Sequence, residues 1–342
     1  MNARAAVAAM TAYTLELREA EVKVNQNESP FDVPREIKQQ LLAQIEALPW
    51  NRYPDFESTT LRNALAKAYG LRAEEILTGN GSNELLAAAI GAFVGPGTSV
   101  VFPRPTFTLY EKLITIAGGN AVPIEFDPDS GFIPLEEMLR ALEERPGAVA
   151  ILCSPNNPTG GVLPAGGLDA LLATGATVLF DRAYGDFAND ALPPLHDRLV
   201  TFSTFSKAWG LAGLRVGWLA STAATCREIR KVKLPYSLNI ASETIAAAAL
   251  GRRDLRDGNV ARMIAERERM LATMRAIPSL TAFPTAANFI AFRSALSLDD
   301  FHRRGILLRD VSAYPRMQRC LRVSVGTREE NDRFLAALKE LS

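Results

Sequence analysis

The sequence predicts an α/β chain, with a large domain built on a mostly parallel sheet covered by helices and a small α+β domain beside it. Three observations lead there. The chain has 342 residues, 48% of them hydrophobic, enough for about two domains at roughly 150 residues each. Between about residues 57 and 220, short apolar runs alternate with segments of helical period, as strands covered on both faces do. After Pro235 that alternation gives way to long helical patterns and a few short strands.

Taken in order, strands are expected at Ser99–Phe102, Val122–Phe126, Ala148–Cys153, Thr177–Phe180, Val200–Phe205 and Arg215–Leu219. Helices are expected between them, at Asn83–Phe93, where Leu86, Ile90 and Phe93 share a face, and at Leu135–Glu144. Ile240–Leu250 reads as an Ala-rich helix. Asp254–Ile277 reads as a long charged one with Met263, Met270, Met274 and Ile277 along one side. Strands near Asn288–Phe292 and Leu321–Val325 precede a final helix from about Glu329. The expected division is a large domain of residues 31–240 and a small one of 1–30 together with 241–342.

Composition narrows the function. Lys+Arg and Asp+Glu both number 38, and this balance argues against nucleic acid or an anionic membrane as the partner. No run approaches the ~20 apolar residues of a membrane span, and the N-terminus lacks a signal-peptide core. A soluble cytoplasmic protein is expected. Cys153, Cys226 and Cys320 are widely spaced, and only His196 and His302 are present. No metal-ligand spacing occurs, and none of these five residues is assigned a role.

Ligands of open α/β sheets lie beyond the carboxyl ends of the strands. Ala148–Cys153 is followed by Ser154-Pro155-Asn156-Asn157-Pro158-Thr159-Gly160. Thr177–Phe180 is followed by Asp181-Arg182-Ala183-Tyr184, and Val200–Phe205 by Ser206-Lys207 and then Arg215. A lysine at such a strand end, near Arg215, is poorly hydrated, so its amine pKa should fall and it becomes a candidate nucleophile for a carbonyl. Asp181 suits a pyridinium nitrogen, and Tyr184 and Asn157 suit the neighbouring ring oxygen. Gly79-Asn80-Gly81-Ser82-Asn83-Glu84 opens a helix whose free N–H groups suit a phosphate, with Thr204, Ser206 and Arg215 completing the cup. Each residue alone has a plainer reading: Lys207 as a surface lysine, Asp181 as a helix cap, Asn157 as a turn former, Phe107 as core. Their order along the chain argues for the site.

These segments resemble the class I/II aminotransferases, pyridoxal-5′-phosphate enzymes of fold type I, and among them the histidinol-phosphate aminotransferases. The resemblance runs from Asn27-Glu28-Ser29-Pro30-Phe31 to Leu321-Arg322-Val323-Ser324-Val325-Gly326-Thr327. It implies pyridoxal phosphate as cofactor, with Lys207 linking to it covalently and then moving a proton between substrate and cofactor. Asp181 would pair with the ring nitrogen, and Tyr184 and Asn157 with the ring oxygen. Phe107 would stack on the ring, and Ser82, Asn83, Thr204, Ser206 and Arg215 would hold the phosphate. Tyr53 would reach that phosphate from a neighbouring subunit, implying a homodimer with shared sites.

The resemblance places Arg322 on the substrate carboxylate or phosphate, with Arg309 and Tyr13 assisting at the phosphate. It implies a small amino donor and a 2-oxoacid as substrates: L-histidinol phosphate and 2-oxoglutarate, giving imidazole acetol phosphate and glutamate. An aromatic amino acid aminotransferase, a phosphothreonine decarboxylase of cobalamin synthesis and a non-catalytic binding module are the competing readings. The chain departs from the family at Arg182, where an acid is usual, at Phe107 in place of Tyr, and at Asn83 in place of Asp.

Overall fold

The computed structural model describes residues 3–12 and 18–342. Seven strands form the main sheet: β1 (Ile76–Asn80), β2 (Ser99–Arg104), β3 (Asn120–Glu125), β4 (Val149–Cys153), β5 (Thr177–Asp181), β6 (Leu199–Thr204) and β7 (Val216–Ala220). Their spatial order is β1-β7-β6-β5-β4-β2-β3. The strands from β6 through β3 run parallel, while β7 is antiparallel to both β6 and β1. All six expected strands are present, with ends shifted by no more than about a residue pair. β1 is an addition to them: Ile76-Leu77-Thr78 is too short an apolar run to stand out before Gly79-Asn80-Gly81, and it becomes an edge strand through its pairing with β7.

Both faces of this sheet are covered, and the alternation inside its strands shows it. Val100, Phe102, Ile151 and Leu179 point into one buried cluster with Leu86 and Ile90 of the helix Gly81–Phe93. Their neighbours Val101, Ala150, Leu152, Val178 and Phe180 point the other way, onto Met138 and Leu142 of the helix Leu135–Glu143. A strand sandwiched in this way must be apolar at every position, hence the continuous runs.

A second sheet of four antiparallel strands has the order Arg309–Asp310, Cys320–Ser324, Phe289–Arg293, Thr281–Ala282. The helix Arg328–Leu341 covers it, started by a reciprocal Thr327/Glu330 capping box and anchored by Phe334 against Phe292 and Phe301. The N-terminal arm joins this region, since Val22–Lys23 pairs in parallel with Ile306–Leu307. Met263, Met270 and Met274 of the helix Arg253–Arg275 are buried on one side, as their spacing predicts. The helix Ile240–Leu250, grouped by sequence with the small domain, packs instead on the helix Thr59–Tyr69 and on β7, where Ala246 and Leu250 join Leu61, Leu65 and Trp218. Its small alanines permit that close approach.

One approach ties the sheet to the helix that opens the site. A Cβ at Gly217 in β7 would lie 2.3 Å from the Ser82 backbone nitrogen. Gly217→Ala must therefore push the start of the helix Gly81–Phe93 off β7. Overpacking of this kind costs about 1–3 kcal/mol. Thermal or denaturant unfolding is expected to show that loss, and unchanged stability would mean the two backbones can separate freely.

Candidate active site

The carboxyl ends of β4, β5 and β6 lie level in the sheet: Cys153 pairs with Asp181, and Asp181 with Phe202. Beyond them opens a cavity of about 270 Å³ whose walls include Ser82, Asn83, Phe107, Asn157, Asp181, Tyr184, Thr204, Ser206, Lys207, Arg215, Arg309 and Arg322. Twelve expected site residues thus meet in one place. Tyr53 does not line it. That ring is 81% exposed and stacks on Tyr236, with 4.7 Å between centroids. Tyr13 lies outside the described residues.

Lys207 follows β6, and its Nζ donates to the Gln26 carbonyl at 2.9 Å. Removal from water lowers the amine pKa to about 7, with the Arg322 guanidinium the next cause and Arg215 a smaller one. An amine in that range is about half deprotonated at neutrality, and that fraction can act as a nucleophile.

Asp181 is buried, and burial pushes its carboxyl above the usual range. A 2.8 Å hydrogen bond from the Tyr110 hydroxyl and a 2.9 Å one from the Ala183 N–H draw it back. The Tyr184 hydroxyl accepts from Asn27 Nδ2 at 3.0 Å, and burial raises that phenol. Asn157 Oδ1 accepts from Arg322, whose other nitrogen donates to the Asn25 carbonyl at 3.0 Å.

At the opposite end the helix Gly81–Phe93 begins. Asn80 at its cap makes no side-chain cap hydrogen bond, and Gly81 takes a positive φ of 75°. A Cβ at Gly81 would sit 2.5 Å from Arg215 Nη2, so the bare glycine lets that guanidinium approach the helix start. Arg215 Nη1 donates to Ser206 Oγ at 3.0 Å, and Thr204 Oγ1 also donates to Ser206 Oγ at 3.0 Å. Helix N–H groups, two hydroxyls and a guanidinium converging on one point suit a phosphate.

Arg182 turns away from the cavity. Its guanidinium is buried on the far side of the turn, beside Gly185, and donates to the Asp190 carbonyl at 2.6 Å. The charge reversal at this position therefore does not enter the pocket. Six wall residues carry no role in the sequence reading: Asn25, Gln26 and Asn27 from the N-terminal arm, and Cys153, Ala183 and Tyr314. The polar run Asn25-Gln26-Asn27-Glu28 between Val24 and Pro30 is a signal for the first three. The spacing of Cys153 gives it no role, and its thiol donates to the Pro155 carbonyl at 3.1 Å. Tyr110 lies close to Phe107 in the sequence, but its contact with Asp181 is not part of the sequence reading. Among the described residues, no three His, Cys, Asp or Glu side chains cluster to hold a metal, and no helix is long and apolar enough to cross a membrane.

A phosphorylated pyridine aldehyde fits this set of groups: an amine for the aldehyde, a buried carboxylate for the ring nitrogen and an anion cradle for the phosphate. With the seven-stranded sheet, they define the class: a pyridoxal-phosphate enzyme of fold type I. Residues 19–338 match the model of the family described as aminotransferase class I and II. The chain belongs to that family and is a pyridoxal-phosphate-dependent aminotransferase.

It is 36% identical over 332 residues, 95% of both chains, to a histidinol-phosphate aminotransferase of Chlorobaculum tepidum. It is also 36% identical to the one of Aquifex aeolicus, covering 97% of this chain and 95% of that one. The solved histidinol-phosphate aminotransferase of Sinorhizobium meliloti in complex with pyridoxal-5′-phosphate superposes with a TM-score of 0.82 at 26% identity, covering 95% of this chain and 93% of that one.

The environment of Lys207 is directly measurable. In the cofactor-free protein, its modification by trinitrobenzenesulfonate is expected to reach half its maximal rate near pH 7. Arg322→Leu removes a neighbouring cation, so the ammonium form gains and the midpoint moves to higher pH. A midpoint near that of an ordinary lysine in the parent would contradict the desolvated placement.

Proposed function

We propose that this enzyme transfers the amino group of L-histidinol phosphate to 2-oxoglutarate, giving imidazole acetol phosphate and glutamate, in cytoplasmic histidine biosynthesis. One observation carries the substrate. Arg309 and Arg322 are register partners on adjacent antiparallel strands, and both line the cavity that holds Lys207. Directly opposed residues project to the same face, so the two guanidiniums together present a planar, donor-rich wall that suits an anion. A phosphate dianion in one half-reaction and the 2-oxoglutarate carboxylate in the other would each suit that wall. The names of relatives 36% identical over nearly the whole chain support the same substrate.

The residue roles follow from position. Asp181 would hold the proton on the ring nitrogen, Tyr184 and Asn157 would pair with the ring oxygen, and Phe107 would stack on the ring. Ser82, Asn83, Thr204, Ser206 and Arg215 bind the phosphate. When bound, the cofactor supplies the aldehyde that accepts the amino group and the electron-poor ring that withdraws electrons from the substrate Cα. Lys207 Nζ would hold the cofactor and, as a free amine, would take the proton from the substrate Cα. Asn27 ties the two regions together: its N–H donates to Ser324 Oγ of the smaller sheet at 2.7 Å, and its side chain donates to Tyr184.

The assembly belongs to the same proposal: a homodimer in which Tyr53 reaches the phosphate of the partner's site, with Tyr13 near the substrate phosphate. So does a division into a large domain of residues 31–250 and a small one of 1–30 with 251–342, the boundary set by the helix Ile240–Leu250, which packs on the large domain.

Steady-state assay with histidinol phosphate and 2-oxoglutarate tests the activity. Equimolar glutamate without released carbon dioxide is expected. Carbon dioxide release from phosphothreonine, or equal efficiency with aromatic amino acids, would replace this reading. Arg309→Gln should raise KM for histidinol phosphate about tenfold or more, the scale of one charge-assisted hydrogen bond, and change KM for an aromatic donor far less. Equal effects on both donors would remove Arg309 from the phosphate site. For the dimer, mixing Lys207→Ala and Tyr53→Ala proteins should restore activity through hybrid dimers that keep one intact site. No recovery on mixing would place Tyr53 outside the partner's site.

A further inference from the structure

We propose that Tyr110 is a positioning residue that fixes the Asp181 carboxylate toward the cofactor ring nitrogen, so that one turn of chain, Phe107 to Tyr110, controls both the face and the nitrogen edge of the ring. This rests on the reading of Asp181 as the partner of that nitrogen. Tyr110 is fully buried in the first turn of the helix Leu109–Ala117, and its hydroxyl donates to Asp181 Oδ2 at 2.8 Å. The other carboxylate oxygen accepts from the Ala183 N–H at 2.9 Å. One of the two bonds that orient the carboxylate is therefore a side chain and can be removed alone.

The same turn carries Phe107. The two rings stand edge to face, with 5.7 Å between centroids and an interplanar angle of 90°. Tyr110 cannot act as a proton donor in its own right, because burial and the adjacent Asp181 and Cys153 push its phenol well above its ordinary range. It stays a neutral hydrogen-bond donor at working pH. The titratable groups facing Asp181 are Tyr110 from the helix, Cys153 at the end of β4 and Tyr184 on the following turn, and all three are held neutral by burial. The Tyr110 hydroxyl and the Ala183 N–H oppose the tendency of Asp181 to take up a proton.

The test is cofactor affinity as a function of pH, measured by absorbance and by equilibrium dialysis on the full chain. Parent, Tyr110→Phe, Asp181→Asn and the double variant are compared. Cofactor binding requires the carboxylate, so affinity falls as pH drops through the Asp181 titration. Tyr110→Phe removes a bond made to the charged form, which raises that titration point. The acid limb is expected to move up by about one pH unit, a tenfold loss of affinity below it.

In the Asp181→Asn background no acid limb from this group exists, and Tyr110→Phe should change nothing further. The change is isosteric, and near-ultraviolet circular dichroism checks that each variant is folded. If Asp181→Asn abolishes the limb while Tyr110→Phe leaves it in place, the role of Tyr110 is wrong and that of Asp181 stands. If Asp181→Asn keeps the limb, the reading of Asp181 fails and this inference fails with it.

Discussion

A lysine that must act as a nucleophile near neutrality shares its cavity with two arginines that lower its proton affinity. Removal of that amine from water, reinforced by the neighbouring Arg322 guanidinium, is what the rest of the site is arranged around. The cavity offers two places that suit anions, one at the start of the helix Gly81–Phe93 and one at the Arg309/Arg322 wall. The neutral charge balance of the chain hides this, because the compensating acids lie elsewhere, many in exposed pairs such as Lys231 with Glu228.

The sheet makes that arrangement possible. Parallel strands bring Cys153, Asp181 and Thr204 to one edge, and antiparallel β7 returns Arg215 and Gly217 beside the helix that starts at Gly81. The N-terminal arm contributes by a different route. It pairs with the far end of the chain through Val22–Lys23 and then lays Asn25, Gln26 and Asn27 across the cavity. The Gln26 carbonyl takes the Lys207 hydrogen bond, so the nucleophile of one region is held by backbone from another.

Much of this is legible in the sequence alone, and the reasons differ by element. Strands such as Val149–Cys153 are visible because burial on two faces demands an unbroken apolar run. Lys207, Asp181 and Asn157 are visible because they follow such runs directly. β1 escapes because an edge strand of five residues ending in Gly-Asn leaves too little pattern. The helix Ile240–Leu250 does not announce its neighbour, because an alanine surface fits many partners. The bond from Tyr110 to Asp181 escapes because the two lie 71 residues apart and no local spacing announces the contact. Arg182 illustrates the reverse: a conspicuous change in sequence that the direction of one side chain removes from the site.

The identity of the residue that carries the cofactor is the point on which all else turns. Borohydride treatment of the holoenzyme, followed by proteolysis and peptide mass analysis, reads it directly. The arrangement around Nζ predicts one cofactor per chain, fixed to the peptide containing Lys207. Label on any other lysine, or a cofactor washed away unattached after reduction, would contradict it.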